Sequence, residues 1–287
     1  MMRDFLSELK RALDDVELRL AHSGRGRLAA RTRALDDLEQ RVLLHLPALG
    51  ADERASAVAE RALGLNDELE LRNQRMFSRL VARLAAGRYT HEGTRRALCR
   101  TIDQSDEPDW RDALLAGLID VGPLEDERLA RDRDMVFYQP TPARVILAML
   151  DRAQVRPPDA LCDLGSGLGH VLITAALVSG VRALGIEREP AYVAYASRAV
   201  QRLSLENVEL VCADAREASF GASNVFFMYT PFRGALLRQV LARLRQTASE
   251  RTLRICTFGP CTAEVAGEPW LRLQSCANEL AVFTSFQ

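Results

Sequence analysis

The sequence predicts an α/β fold in its second half and an all-helical region before it. Three observations carry this. From about residue 135 onward, short apolar runs alternate with helical patterns. One of those runs ends in an acid followed by a glycine-rich turn. Before residue 121 the apolar residues recur every three or four positions.

The helical region is read from Phe5, Leu9, Leu13, Val16 and Leu20, then Leu35, Leu38, Val42 and Leu46, each series marking one face of a helix. Helix breaks are expected at Ser23-Gly24, Pro47 to Gly50, Gly64 to Asn66 and Gly87 to Gly93, giving four or five helices, with Trp110 to Leu118 as a further short one. The charged stretch that begins Gly122-Pro123-Leu124-Glu125 and runs to Asp134 lacks apolar residues and reads as a connection. The expected organisation is therefore a helical domain over 1–121, a linker over 122–134 and a second domain over 135–287.

In that second domain the strands are expected at Ala160 to Asp163, Arg182 to Glu187, Val208 to Cys212, Val225 to Tyr229 and Leu253 to Phe258, with helices between them. This alternation is the pattern of a parallel sheet with crossover helices. Two last apolar runs, Leu271 to Ser275 and Glu279 to Phe286, have only Cys276-Ala277-Asn278 between them. That leaves no room for a helix, so they should pair antiparallel.

Composition narrows the function classes. Hydrophobic residues make up 48% of the 287 and charged residues 27%, as in an ordinary globular protein. Lys plus Arg total 38 against 39 Asp plus Glu, so there is no basic field to attract nucleic acid or an anionic membrane. No apolar run approaches the ~20 residues of a bilayer span, and the start has no signal-peptide core, so a cytoplasmic protein is expected. Cys99, Cys162, Cys212, Cys256, Cys261 and Cys276 form no CxxC pair and no zinc spacing with histidine; no metal site and free buried thiols are expected.

The strongest local signal is Asp163-Leu164-Gly165-Ser166-Gly167-Leu168-Gly169-His170, an apolar strand running into a glycine turn before the helix Val171 to Val178. Open α/β sheets bind ligands at such strand ends, and glycine lets a ligand lie against the backbone. Dehydrogenases also use such a turn, but their G-x-G-x-x-G spacing cradles a pyrophosphate. Here the glycines alternate, and Asp163 would repel phosphate while suiting a cationic amino group. The second strand ends at Gly185-Ile186-Glu187, where a carboxylate could take two ribose hydroxyls. The third ends at Asp214-Ala215, where an acid could accept from an adenine amino group.

In this order and combination, Asp163 through Gly169, Glu187 and Asp214 resemble the three cofactor motifs of the class I S-adenosylmethionine-dependent methyltransferases. The resemblance covers residues 135–287, about half the chain. It implies a seven-stranded, doubly wound, mostly parallel sheet with a reversed final strand, and S-adenosylmethionine as cofactor. Carried over residue by residue, Asp163, Gly165, Ser166, Gly167 and Gly169 would hold the methionine portion, Glu187 the ribose, and Asp214 with Ala215 the adenine. Gly185 and Ile186 would line the adenosine.

In that family the end of the fourth strand, here Tyr229-Thr230-Pro231-Phe232, faces the transferring methyl group. Tyr229 is the catalytic candidate there, and Thr230, Pro231 and Phe232 are the candidate acceptor wall; the structural alternative is a strand cap on the helix Leu236 to Leu244. Amino methylases of nucleobases carry Asn or Asp before Pro-Pro-aromatic. Thr230 and a single proline depart from that and argue against a nucleobase acceptor.

Upstream, Phe137-Tyr138-Gln139-Pro140-Thr141-Pro142 leads into the helix Ala143 to Ala153, which Thr141 could cap. A Tyr-x-Pro-Thr segment before Asp-Leu-Gly-Ser-Gly also resembles the seven-stranded protein lysine methyltransferases, both the non-SET histone enzymes and the small family acting on membrane proteins of energy metabolism. In those, the segment folds over the cofactor, which implies a cofactor role for Thr141 and a catalytic one for Tyr138.

A nitrogen acceptor must arrive neutral, and a desolvating pocket of Tyr138, Tyr229, Phe232 and Phe258 would favour that form. His22, His45, His91 and His170 are scattered; His170, read as a first-turn helix residue, is the nearest conventional base. The expected function is methyl transfer to nitrogen or oxygen of a small-molecule or protein acceptor, with no membrane or nucleic-acid partner. The alternatives are a noncatalytic S-adenosylmethionine-binding module and a nicotinamide-dependent oxidoreductase. Tyr229→Phe should lower turnover more than cofactor affinity.

Overall fold

The computed structural model describes residues 2–24, 27–49, 53–99, 110–122 and 138–286. Most of the expected linker, from 123 on, and Phe137 lie outside the described residues. The chain divides into two compact units, one of 1–80 with 105–118 and one of 81–104 with 119–287.

The first unit is helical. Helices α1 (Met2–Ser23) and α2 (Leu28–Arg41) are followed by a 3-10 turn (Leu43–Ala48), the long helix α3 (Glu53–Ala85) and, after α4 (His91–Cys99), helix α5 (Trp110–Ile119). Its core joins Leu9, Leu13, Val16 and Leu20 to Leu38, Val42, Leu65 and Leu69, all buried.

The break expected at Gly64 to Asn66 does not occur, and α3 runs through it. Ala62, Leu65 and Leu69 keep the buried stripe in register across that point. Burying them outweighs the roughly 1 kcal/mol that one helical glycine costs. The break at Gly87 is real. Gly87 has φ +65°, with bonds from Gly87 N to Leu84 O and from Arg88 N to Arg83 O that satisfy the last carbonyls of α3.

The second unit carries α4, then α6 (Ala143–Arg152), β1 (Ala160–Leu164), α7 (His170–Ser179), β2 (Arg182–Glu187), α8 (Pro190–Arg202), β3 (Val208–Cys212), β4 (Val225–Met228), α9 (Gly234–Ala248), β5 (Arg254–Phe258), α10 (Cys261–Ala266), β6 (Leu271–Ala277) and β7 (Leu280–Ser285). The strands form one sheet in the order β3-β2-β1-β4-β5-β7-β6. All neighbours are parallel up to β5, and β7 runs antiparallel to both β5 and β6. The strand order reverses between β1 and β4, and that switch point is where an open α/β sheet has its crevice.

Burial explains the sequence pattern. β1 and β4 are buried throughout, so they read as continuous apolar runs. Helix α7 is apolar all round, and Val171 through Val178 are all buried. The reason is α4, which packs against α7 and places His91 Nδ1 3.2 Å from the Leu177 carbonyl. His91 therefore caps the C-terminal end of α7.

The β6–β7 turn places Asn278 and Glu279 at φ +51° and +63°, the two left-handed positions of a tight antiparallel turn. At the N-terminal ends of the central strands a polar clasp fixes their register. Asn224 Oδ1 accepts from Ala160 N at 2.9 Å, Asn224 Nδ2 donates to Asp159 Oδ1 at 2.9 Å, Asn224 O accepts from Arg254 N at 2.9 Å, and Arg254 pairs with Asp159. The thiols are all free, but Cys212 and Cys276 are exposed and Cys99 is half-buried, which corrects the expectation of buried ones. Cys212 ends β3 and Cys276 lies on β6, the two edge strands of the sheet, and Cys99 ends α4.

Candidate active site

The C-terminal ends of β1, β2 and β4, with the turn after β3, border one cavity of about 1030 Å³ counted out to open solvent. The glycine turn after β1 forms its floor. Gly165 and Gly167 have φ of +81° and +51°, which a side chain would strain. Space is equally closed: a Cβ on Gly165 would lie 2.5 Å from Pro231 Cβ, and one on Gly167 would lie 2.3 Å from the Tyr138 ring. The turn is thus built directly against the end of β4 on one side and against the segment before α6 on the other.

Asp163 and Glu187 are both nearly sealed from solvent. Burial, with Glu187 close by, pushes the Asp163 carboxyl up to about 8, and no cation among the described residues offsets it. Burial also raises Glu187, against three amide donors: Gly167 N to Oε2 at 2.9 Å, and Arg188 N and Glu189 N to Oε1 at 2.8 and 2.9 Å. The second strand end therefore grips the glycine turn of the first. Ser166 Oγ is buried with no hydrogen-bond partner among the described residues. Gly185 leaves it room, since a Cβ there would come within 2.7 Å of that oxygen.

Asp214 sits differently. Arg216 donates to Asp214 Oδ1 from its backbone N at 2.8 Å and from Nε at 3.0 Å, and to Oδ2 at 2.7 Å from its terminal nitrogen. That pairing holds the carboxyl below its ordinary range. Oδ1 already takes two hydrogen bonds, so the lone pair still open to a donor is on Oδ2.

Over the glycine turn lies Tyr138. Its ring packs 5.3 Å from that of Tyr192, and its hydroxyl is 3.1 Å from His170 Nδ1. Burial raises the phenol and lowers His170 to about 4, so both are neutral at pH 7. Tyr229 stands just beyond β4, its ring 4.7 Å from Phe258 and its hydroxyl donating to Gln139 Oε1 at 3.2 Å. Thr230 is buried at φ +41°, an outlier for a β-branched residue. Its Oγ1 donates to Phe258 O at 3.0 Å and accepts from Cys261 N at 3.2 Å, and these two bonds tie the bend to β5 and α10.

The cavity wall includes Tyr138, Thr141, Asp163, Gly165, Ser166, Ile186, Glu187, Asp214, Ala215, Tyr229, Thr230, Pro231 and Phe232. It thus gathers these residues at one place. Gly167 and Gly169 lie beneath it, in the turn and at the start of α7. Thr141 is not the helix cap: Pro142 holds that position and no side chain caps α6. Proline at the cap presets the dihedral without needing the Thr141 hydroxyl. His91, engaged with α7, is not at the cleft.

Sequence reasoning missed Gln139 as a wall residue, Arg188, Glu189 and Tyr192 after β2, and Arg216. Only Arg216 left a local trace, two positions beyond the acid it holds.

With this geometry in hand, residues 135–226 match the family model described as "Histone methylation protein DOT1". This domain has the class I S-adenosylmethionine-dependent methyltransferase fold. The matched stretch runs from the segment before α6 into β4 and contains the glycine turn, Glu187 and Asp214. A protein-lysine N-methyltransferase of Saccharolobus islandicus (strain REY15A) is 45% identical over 53 residues, which are 18% of this chain and 33% of that protein. The chain thus spans about a third of the length of that relative. Among solved structures, an RNA methyltransferase from Salinibacter ruber in complex with S-adenosyl-L-homocysteine is 27% identical with a TM-score of 0.41, over 51% of this chain and 92% of that one. A precorrin-6y C5,15-methyltransferase from Geobacter metallireducens GS-15 is 19% identical with a TM-score of 0.42, over 55% and 93%.

Proposed function

We propose that this chain is an S-adenosylmethionine-dependent methyltransferase that moves a methyl group to a nitrogen or oxygen acceptor on a protein or small molecule. The observation that carries the reading is that the glycine turn, three acidic strand ends and the bend after β4 border a single cavity at the switch point. The residues fit the cofactor: among the described residues Asp163 is buried without a cation, and Ser166 Oγ is an unpartnered polar atom beside a turn that no side chain could enter.

On this reading Asp163 and the turn from Gly165 to Gly169, with Ser166 and Thr141, hold the methionine portion. Glu187 holds the ribose hydroxyls, and Asp214 with Ala215 holds the adenine. When bound, S-adenosylmethionine supplies an electrophilic sulfonium methyl. The protein's share is to bring the acceptor into line and exclude water, an effect worth about 7–11 kcal/mol of barrier. Tyr229, Thr230, Pro231 and Phe232 wall the acceptor side, and Tyr138 covers the turn. No carboxylate stands at Thr230, so the wall favours a neutral amine over its cation.

Within this class a protein lysine amine is the acceptor that the family description and the named relative favour. The catalytic domain is then 135–287, reached through 122–134 from the helical region 1–121, of which α4 packs with the catalytic domain. No described helix is long and apolar enough to cross a membrane, and we place the protein in the cytoplasm.

Calorimetric titration with S-adenosylmethionine and S-adenosylhomocysteine, with NAD as control, tests the reading. Binding of both sulfur compounds and not of NAD supports it; binding of NAD instead overturns it in favour of an oxidoreductase. Binding without transfer to any protein or small molecule of a cell extract would make the chain a cofactor-binding module. Tyr229→Phe, which loses the bond to Gln139, should lower turnover more than cofactor affinity, and an unchanged rate removes Tyr229 from the active site.

A further inference from the structure

We propose that His170 is a positioning residue, which holds the Tyr138 hydroxyl through Nδ1 and so fixes the Tyr138 ring over the glycine turn. The inference rests on the reading of that turn as the methionine end of a cofactor site.

Four contacts define where the ring can go. Beneath it is Gly167, so close that a Cβ there would lie 2.3 Å from the ring. Beside it is Tyr192 of α8, with centroids 5.3 Å apart and planes tilted by 54°. Both contacts are made by flat or featureless surfaces, which let a ring slide. The polar anchor is His170, the first residue of α7, 3.1 Å from the hydroxyl. The Leu168 backbone also favours the ionised phenol, as an amide N–H donating to its oxygen does. The hydroxyl is then placed to donate a hydrogen bond to His170 Nδ1, which requires the neutral imidazole to carry its hydrogen on Nε2.

The competing role for a histidine in such a cavity is general base. Burial argues against it, because it lowers the ring to about 4, and a base that weak does little at neutral pH. Its Nδ1 lone pair is also already engaged by Tyr138. The same burial suits an anchor, since the imidazole stays in one protonation state across the working pH range.

The test is a double-mutant cycle read by calorimetric titration of S-adenosylhomocysteine, with urea midpoints measured alongside. His170→Leu should weaken binding by about 3- to 10-fold, the range for one net hydrogen bond, and Tyr138→Phe, which also loses the Leu168 donor, by at least as much. The double variant should be no weaker than Tyr138→Phe, because the bond that His170→Leu removes is already gone there. His170→Gln keeps an acceptor and should recover most of the loss, which a role in packing alone would not give. Multiplying losses in the double variant, unchanged binding in His170→Leu, or a Gln variant as weak as the Leu variant would each overturn the proposal. A wild-type protein that fails to bind S-adenosylhomocysteine refutes the cofactor reading itself, and this inference with it.

Discussion

Asp163, at the end of β1, and Asp214, just after β3, border one cavity with β2 between their strands, yet the protein treats them in opposite ways. Asp163 is sealed, unpaired among the described residues, and raised to about 8. Asp214 is half-buried, clamped by Arg216 and held below its ordinary range. The difference means that ionisation costs free energy at one end of the cavity. The other is a prearranged acceptor whose charge is already satisfied.

The hardest test of the sealed end is Gly167→Arg. With φ +51° and the Tyr138 ring on top of it, a folded variant should bind no S-adenosylhomocysteine, and retained binding in calorimetry would refute the site.

Next is Asp163→Asn, which should weaken binding about tenfold or more, since a hydrogen bond to a charged group is worth ~1.5–3 kcal/mol. The same residue predicts a pH dependence. Its folded value of about 8 exceeds the ordinary 3.8, so between these the folded state binds more protons than the unfolded one. Stability should therefore fall as pH rises from about 4 to 8, by on the order of a few kcal/mol, while affinity for a cationic ligand rises over the same window. Urea midpoints measured across that range should flatten in the Asn variant; an equal slope in both proteins would mean that Asp163 is ionised throughout.

The smallest effect belongs to the clamped end. Arg216→Gln leaves the backbone bond to Asp214 in place and removes a half-exposed ion pair worth ~0.2–1 kcal/mol. Binding should weaken no more than about fivefold, and a loss as large as that of Asp163→Asn would erase the contrast between the two ends.

Much of this was legible in the residues. The strands lie within a residue or two of their expected bounds because β1 and β4 are buried on both faces and cannot be mistaken for surface segments. The closing pair was legible because three residues cannot hold a crossover. The uninterrupted α3 was not, since Gly64 looks like a stop unless the buried stripe beneath it is known. The chain also hid what only packing creates: the Pro231 contact with Gly165, the Tyr138 contact with His170, and the docking of α4 on α7. Each joins residues that are far apart in the chain and carry no local spacing signal.

The clasp of Asp159, Asn224 and Arg254 sets the alignment of β1, β4 and β5 at the edge of the sheet away from the cavity. Those three strands end in the glycine turn, in Tyr229 and in Phe258, so a slip at the clasp carries all three out of alignment together. A genetic screen for inactive alleles would accordingly recover Asn224 beside Asp163, although Asn224 touches nothing at the cavity.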